Sequence, residues 1–139
     1  MLLIDGYNLL FCGRRISRDE LTKAREGLIL GIARYCELSG LRATVIFDFT
    51  KGPPVFGIES RRRVGEVEVR YTPKGTTADD EIMRMVAETR DRTAYTVVTS
   101  DRAIADEVRR RQVEVIESAR FREDVERLLE ESKGKSDEA

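Results

Sequence analysis

Short apolar runs alternate with longer segments of helical periodicity along this chain, and this alternation constrains the fold more than any other feature. The apolar runs predict strands at residues 2–5, 43–48, 64–71, 95–99 and 113–116. The periodic segments predict helices at residues 17–40, 77–89, 102–111 and 118–131. A strand–helix–strand series favours a mostly parallel sheet with helices on both faces. We therefore predict a Rossmann-like, three-layer α/β domain around a sheet of about five strands.

Local signals refine the ends of several elements. Ser17 and Glu20 have the spacing of a capping box at the start of the first helix, and Thr77 is the expected N-cap of the second. Residues 64–71 alternate between apolar and charged side chains, which is typical of a half-exposed strand at a sheet edge. The sequence predicts a long loop over residues 49–63.

Length and composition predict one soluble domain. The chain has 139 residues, of which 40% are apolar and 37% charged, as in globular proteins and unlike disordered ones. We predict a domain over residues 1–131 and a polar, disordered tail over 132–139. The longest apolar stretches are strand-sized, and the N-terminus has no basic region or cleavage site, so we expect a cytoplasmic protein without a membrane partner.

Histidine is absent from the sequence, and this excludes several classes of enzyme. Ser-His-Asp and Cys-His triads, histidine-ligated zinc and histidine acid–base catalysis all require it. The two cysteines, Cys12 and Cys36, match no zinc-binding spacing, and we interpret both as free thiols without a catalytic role. If the protein is an enzyme, carboxylates and a metal ion must perform its chemistry.

Aspartates recur at predicted strand ends and at one helix start. They are Asp5, Asp48, Asp79, Asp80 and Asp101. In a parallel sheet, ligands bind beyond the carboxyl ends of the strands where the strand order reverses, and Asp5 and Asp101 flank that point if the first and fourth strands are neighbours. Clustered carboxylates repel unless Mg²⁺ or Mn²⁺ binds them, and such an ion activates water for phosphodiester hydrolysis. Taken singly, each aspartate has a plain alternative as a cap of a turn or helix.

Motifs around these aspartates occur in the same order as in a known family. They are Ile4-Asp5-Gly6-Tyr7-Asn8-Leu9, Val45-Ile46-Phe47-Asp48, Thr77-Ala78-Asp79-Asp80-Glu81-Ile82 and Val98-Thr99-Ser100-Asp101. Residues 1–130 resemble the NYN domain family of PIN-like ribonucleases, in particular its bacterial YacP-like branch. The resemblance implies a PIN-like fold and a Mg²⁺- or Mn²⁺-dependent endoribonuclease, with messenger RNA engaged by ribosomes as a candidate substrate.

The resemblance also implies roles for individual residues. The expected catalytic residues are Asp5, Asp79 and Asp101. The expected metal ligands are Asp5, Asp79, Asp80 and Asp101. The residues expected to support these carboxylates or to bind a substrate phosphate are Asn8, Asp48, Thr77, Thr99 and Ser100.

RNA would have to meet local basic patches, because a net charge of −1 gives no overall attraction. Basic side chains occur on predicted loops and strand segments near the carboxylates, and Tyr7 and Phe56 are expected loop aromatics on which an unpaired base could stack. The residues expected to bind RNA are Tyr7, Arg14, Arg15, Arg61, Arg62, Arg63 and Lys74. The alternatives are packing for the aromatics and a solvated surface for the basic side chains.

We predict a metal-dependent endoribonuclease in which an aspartate cluster holds the ion. An alternative from another class is a non-catalytic RNA- or ribosome-binding module of the same fold, indifferent to metal and to Asp101. A third interpretation is a metal-dependent phosphatase with a small substrate, but Asp5-Gly6-Tyr7 lacks the second aspartate of a D-x-D nucleophile motif. The sequence leaves open whether the protein is a monomer or a homodimer.

Overall fold

The computed structural model describes residues 1–48 and 61–137 of the chain. In this part the strands are β1 (Leu2–Asp5), β2 (Ala43–Phe47), β3 (Arg61–Val64), β4 (Val67–Tyr71), β5 (Thr96–Val98) and β6 (Glu114–Ile116). The helices are α1 (Gly6–Phe11), α2 (Leu21–Ser39), α3 (Ala78–Glu88), α4 (Arg102–Arg110) and α5 (Ser118–Asp137). None of these helices is long and apolar enough to cross a membrane.

The strands form one sheet in the order β3-β4-β2-β1-β5-β6. All neighbouring pairs are parallel except β3–β4, which is antiparallel. From β1 the chain moves outward through β2 to β4 and then returns to β5 on the other side of β1, so the strand order reverses between β1 and β5. The predicted α/β class is confirmed, and β1 and β5 are neighbours, which was the condition for Asp5 and Asp101 to flank the switch point.

The sheet is buried on both faces, and β1 shows this most directly. Ile4 packs with residues of α1, α2 and α5 in one apolar cluster, whereas Leu3 packs with residues of α3 and α4 in a second. Successive side chains of a strand point to opposite faces, so this alternation requires helices on both sides. The three predicted layers are therefore present.

The predicted edge strand at residues 64–71 is wrong in its bounds and its position. Gly65, with φ +58°, turns the chain between β3 and β4, and β4 lies inside the sheet between β2 and β3. Val67 and Val69 are fully buried. The edge strand on this side of the sheet is β3. Its three arginines lie in the segment that the sequence predicted as a loop, because they lack the apolar alternation of a strand. The rest of that predicted loop, including Phe56, lies outside the described residues.

Some helix ends agree with the sequence signals and others do not. The predicted N-cap at Thr77 is confirmed, and it forms a capping box: the Asp80 amide donates to Thr77 Oγ1 and the Thr77 amide donates to Asp80 Oδ2, both at 3.1 Å. The capping box at Ser17 does not form: the Ser17 carbonyl accepts from the Glu20 amide in a separate turn, and α2 begins only at Leu21. Helix α5 continues to Asp137, past the predicted end of the domain at residue 131.

Substitution of Gly6 tests how tightly the start of α1 packs on β2. A Cβ at this position would lie 2.6 Å from two ring carbons of Phe47, which is fully buried. We expect Gly6→Ala to lower the free energy of unfolding by about 1–3 kcal/mol through overpacking. Urea denaturation followed by circular dichroism measures the change.

Gly27→Ala is the matched control, because a Cβ at this position in α2 meets no atom within 4 Å. Removing a glycine from a helix interior should stabilise the protein by roughly 0.5–1 kcal/mol. Equal midpoints for the two variants would contradict the packing argument.

Candidate active site at the carboxyl ends of the strands

Three aspartates lie at the carboxyl edge of the central strands. Asp5 ends β1, Asp48 directly follows β2, and Asp101 follows β5 after a short turn. The register that pairs Ile4 with Val98 brings the end of β1 beside the turn that leads to Asp101. Asp5 and Asp48 are 5% and 2% exposed, so both carboxylates lie in the protein interior. The carboxyl edge between β1 and β5, termed the crevice, therefore carries acidic residues at the point where the strand order reverses.

Asp101 caps helix α4. Its Oδ1 atom accepts hydrogen bonds from the amides of Ala103 at 3.0 Å and Ile104 at 3.2 Å. Its own amide donates to Oγ1 of the buried Thr99 at 3.1 Å. Asp101 thus has the capping role that the sequence analysis gave as the alternative, and these hydrogen bonds fix the orientation of its carboxylate.

The other two predicted metal ligands lie in the first turn of α3. Asp79 is half-buried, whereas Asp80 is exposed and uses Oδ2 in the capping box with Thr77. Helix α3 follows the carboxyl end of β4 and packs back across β1 and β2, so its first turn lies at the same edge of the sheet as Asp5. The role of both residues as metal ligands stays a prediction.

A preformed cage of carboxylates is not present in residues 1–48 and 61–137, where no three acidic or cysteine side chains converge on a common point. Like charges repel, and Asp80 and Asp101 instead accept hydrogen bonds from helix amides. Mg²⁺ commonly binds through one or two carboxylates, several waters and substrate phosphates. The oxygen donors of Asp5 and Asp101 on either side of the crevice fit that mode of binding.

Asn8 connects three elements around Asp101. Its Oδ1 atom accepts from the Ser100 amide at 2.8 Å and from the Ser118 hydroxyl at 2.6 Å. The Ser118 amide in turn donates to the Ser100 hydroxyl at 3.2 Å. Asn8 belongs to α1, Ser100 to the turn after β5, and Ser118 begins α5. The sequence predicted Ser118 only as the start of the last helix, since nothing in its local sequence indicates a partner in α1.

Arg122 makes a second connection between α5 and α1. Its guanidinium donates to the carbonyls of Leu9 at 2.5 Å, Cys12 at 2.8 Å and Leu10 at 3.2 Å. These carbonyls belong to the end of a six-residue helix, which has few internal hydrogen bonds of its own. Arg122 therefore completes the carboxyl end of α1.

Tyr7 is not the exposed loop aromatic that the sequence predicted. It lies in α1 with 2% of its surface exposed, and its ring meets the Phe47 ring edge-on at 4.9 Å between centroids. Its hydroxyl accepts a hydrogen bond from Arg25 Nη1 at 3.0 Å. The helix that begins at Gly6 turns this side chain into the core, so a base cannot stack on it in this conformation.

Arg25 is a fully buried cation that the sequence analysis missed. Its guanidinium lies 5.6 Å from the centre of the Tyr71 ring, and no carboxylate in the described part of the chain forms an ion pair with it. Arg25 follows Leu21 by four residues and precedes Ile29 by four, so it lies on the apolar face of α2. A charged residue on the apolar face of a predicted helix was the sequence signal that could have indicated the buried position of Arg25.

The predicted RNA-binding arginines differ in their surroundings. Arg62 donates to Glu26 at 2.6 Å, so its charge is compensated. Arg61 and Arg63 are exposed on β3, and pairing with Arg70 places Arg61 nearer the acidic edge. Arg14, Arg15 and Lys74 are exposed, in the turns that follow α1 and β4.

An ion-pair network holds α3 against β4. Arg70 donates to Glu68 at 2.6 Å and to Glu81 of α3 at 3.0 Å, and the side chains of Arg70 and Glu81 are each 16% exposed. Hydrogen bonds from Arg84, with Arg70 nearby, hold the pKa of Glu81 below its ordinary value of 4.5. This network fixes the helix that carries Asp79.

Both cysteines are free, as predicted. Burial raises the pKa of Cys36 to about 11, so this thiol is protonated at neutral pH. A protonated, buried thiol is a poor nucleophile.

Comparison with known proteins agrees with this geometry. The family model of the YacP-like NYN domain matches residues 2–139. The chain belongs to this family. NYN domains are in general nuclease domains that act on RNA, so the resemblance found in the sequence motifs is confirmed at the level of the family.

The chain is also similar to individual proteins of Bacillus subtilis, in sequence and in structure. YacP of strain 168 is 32% identical over 88 residues, which cover 61% of the present chain and 50% of that protein. The chain thus matches about half the length of this curated relative. The crystal structure of Rae1 (YacP) superposes with a TM-score of 0.80 at 25% identity, covering 99% of this chain and 80% of the other. A mutant of Rae1 gives a TM-score of 0.74 at 24% identity and supports the fold alone.

Removal of the Asn8 side chain should destabilise this NYN domain, because it leaves the Ser100 amide and the buried Ser118 hydroxyl without their acceptor. We expect Asn8→Ala to lower the free energy of unfolding by about 2 kcal/mol, the scale for unsatisfied buried donors. Ser118→Ala removes a donor and should cost less. Urea denaturation of both single variants and the double variant gives the coupling energy, and additive effects would contradict the proposed link.

The Glu81 network predicts a particular dependence of stability on pH. A lowered pKa in the folded state contributes stability above the unfolded value, and this contribution is lost as the pH falls through the folded pKa. Glu81→Gln should therefore lower neutral-pH stability by about 1 kcal/mol and reduce the loss below about pH 4.5. Denaturation midpoints measured across that range test this.

Glu107→Gln serves as the control, since Glu107 and Arg110 are 42% and 72% exposed. This substitution should change neither the midpoint nor its pH dependence. A pH profile that is identical for wild type and Glu81→Gln would refute the predicted contribution of Glu81.

Proposed function

We propose that this NYN domain is a metal-dependent endoribonuclease that hydrolyses phosphodiester bonds at the crevice between β1 and β5. The observation that carries the proposal is the position of Asp5 and Asp101 on either side of the switch point of a sheet that matches the NYN family. Ligands of such sheets bind at this point. The absence of histidine from the sequence leaves carboxylates as the acidic and metal-binding groups.

Each residue at the crevice has a role in this proposal. Asp5 and Asp101 would hold Mg²⁺ or Mn²⁺, and Asp79 approaches from the first turn of α3. The bound ion would supply an activated water and neutralise charge on the phosphoryl oxygens. Asn8 and Thr99 hold the turn that presents Asp101, through the bonds to the Ser100 and Asp101 amides.

The substrate would enter along the exposed basic groups. Arg61 and Lys74 lie on one side of the acidic edge, and Arg14 and Arg15 lie on the side of α1. Phosphate contacts of this type position RNA without selecting its sequence. We include messenger RNA engaged by ribosomes among the proposed substrates, on the basis of the family resemblance.

A non-catalytic RNA-binding module of the same fold is the second candidate function. It is favoured by one observation: in the part of the chain that the structure describes, the acidic side chains do not form a metal-holding group of three. Such a module would retain RNA affinity in EDTA and would be insensitive to changes at Asp101.

Cleavage of labelled single-stranded RNA, alone and with ribosomes, tests the proposal. Wild type and Asp101→Asn are compared in Mn²⁺ and in EDTA. Asparagine caps helices as well as aspartate does, so the variant should fold normally while losing a charged ligand. We expect Mn²⁺-dependent cleavage that falls by about 100-fold or more in the variant, because changes outside the ligand set alone cost about 10–100-fold.

Asp106→Asn is the matched control, since Asp106 lies in the same helix and its side chain is 53% exposed. This variant should cleave like wild type. Cleavage that persists in EDTA or in Asp101→Asn would disprove the proposed site. RNA binding without cleavage under any condition would favour the non-catalytic module.

A further inference from the structure

Phe11 presents an aromatic face at the surface beside the crevice. It is the last residue of α1 and is 37% exposed. The other large apolar side chains with comparable exposure in the described ranges are aliphatic, namely Met1, Leu30, Leu38 and Leu41. Phe11 is therefore the one exposed aromatic side chain of that group.

The Phe11 ring rests on a rigid support. It stacks on Tyr7 with 5.8 Å between centroids and 17° between planes. Tyr7 is in turn fixed by the edge contact with Phe47 and by the hydrogen bond from buried Arg25. One face of the Phe11 ring is thus directed at Tyr7, which is itself held by contacts in the core.

A surface pocket of about 340 Å³ adjoins this ring. It is lined by Tyr7, Asn8, Phe11, Cys12 and Ser100. The volume is at the lower end of the range for small-ligand pockets, about 300–1,000 Å³. An aromatic wall beside the amide of Asn8 and the hydroxyl of Ser100 offers a stacking surface together with hydrogen-bonding groups, which are the features that bind an unpaired base.

The pocket is continuous with the proposed active site and with a basic segment. Ser100 immediately precedes Asp101, and Asn8 lies one helical turn after Asp5. Beyond Phe11 come Arg14 and Arg15, which are exposed and form no ion pair within residues 1–48 and 61–137. A carboxylate, an exposed aromatic ring and two exposed cations therefore follow one another along the chain from Asp5 to Arg15.

We propose that Phe11 stacks against an unpaired nucleobase next to the scissile phosphate, while Arg14 and Arg15 bind the following phosphates. This inference rests on the proposed function and specifies its substrate as unpaired RNA. Phe11 is a substrate-positioning residue and takes the stacking role that the sequence analysis expected of Tyr7. Stacking accepts any base, so Phe11 would confer a preference for single strands without a sequence preference. A base-paired nucleotide could not reach the ring.

A fluorescent oligonucleotide tests the stacking directly. A short oligouridine carrying 2-aminopurine at one position, moved stepwise along the strand, is titrated with full-length protein in EDTA so that no cleavage occurs. Stacking quenches 2-aminopurine, and we expect quenching at one position with wild type and with Phe11→Tyr. Phe11→Leu keeps an apolar side chain without a ring and should abolish the quenching and weaken binding by roughly 5- to 100-fold.

Leu38→Ala is the control, because Leu38 is also 37% exposed but lies near the far end of α2. It should bind and quench like wild type, and thermal unfolding should show that all variants are folded. Equal binding and quenching by Phe11→Leu would overturn the inference, and so would absence of RNA binding by wild type.

The cleavage assay separates this inference from the proposed function. Metal-dependent cleavage that is unchanged in Phe11→Leu would leave the nuclease intact and remove the stacking role. Phe11-dependent binding without any cleavage would support the stacking role and disprove the nuclease.

Discussion

The arrangement of the acidic edge depends on one carboxamide oxygen. Asn8 Oδ1 accepts hydrogen bonds from groups 92 and 110 residues further along the chain, and thereby fixes α1, the turn after β5 and the start of α5 relative to one another. Helix α1 has only six residues and would not persist alone. Asn8 at its middle and Arg122 at its carboxyl end hold it in place. Asp5 and Asp101 keep their positions on either side of the crevice because these contacts keep α1 and the turn together.

Much of the fold was predictable because its strands are short apolar runs buried on both faces. The runs at β1, β2 and β5 stand out from a chain that is 37% charged, and the capping box at Thr77 is a purely local signal. Elements defined by tertiary contacts were missed. Helix α1 is too short to show a period, and β3 is made of arginines that become a strand only because β4 offers an edge to pair with.

The positions of the aspartates at the strand ends were predictable, but their hydrogen-bond partners were not. Strand ends converge in any parallel sheet, so aspartates at strand ends indicate the rim without knowledge of their neighbours. Hydrogen-bond and packing partners could not be predicted in this way, because they depend on which elements pack together. The burial of Arg25 against Tyr7 and Tyr71 could not be inferred from a sequence in which arginine is abundant and usually exposed. The same holds for Phe11, whose significance derives from the ring of Tyr7 beneath it.

The central place of β1 has a consequence for synthesis of the protein on the ribosome. This strand precedes the other strands in the chain, yet its pairing with β5 joins Leu2 to Thr96, and Asn8 accepts a hydrogen bond from Ser118, 110 residues further along. Contacts between such distant segments form late, since the loop between them must first be ordered. A nascent chain therefore cannot form the acidic crevice until the segment through Ser118 has emerged, and a product that ends before β5 would carry Asp5 without Asp101.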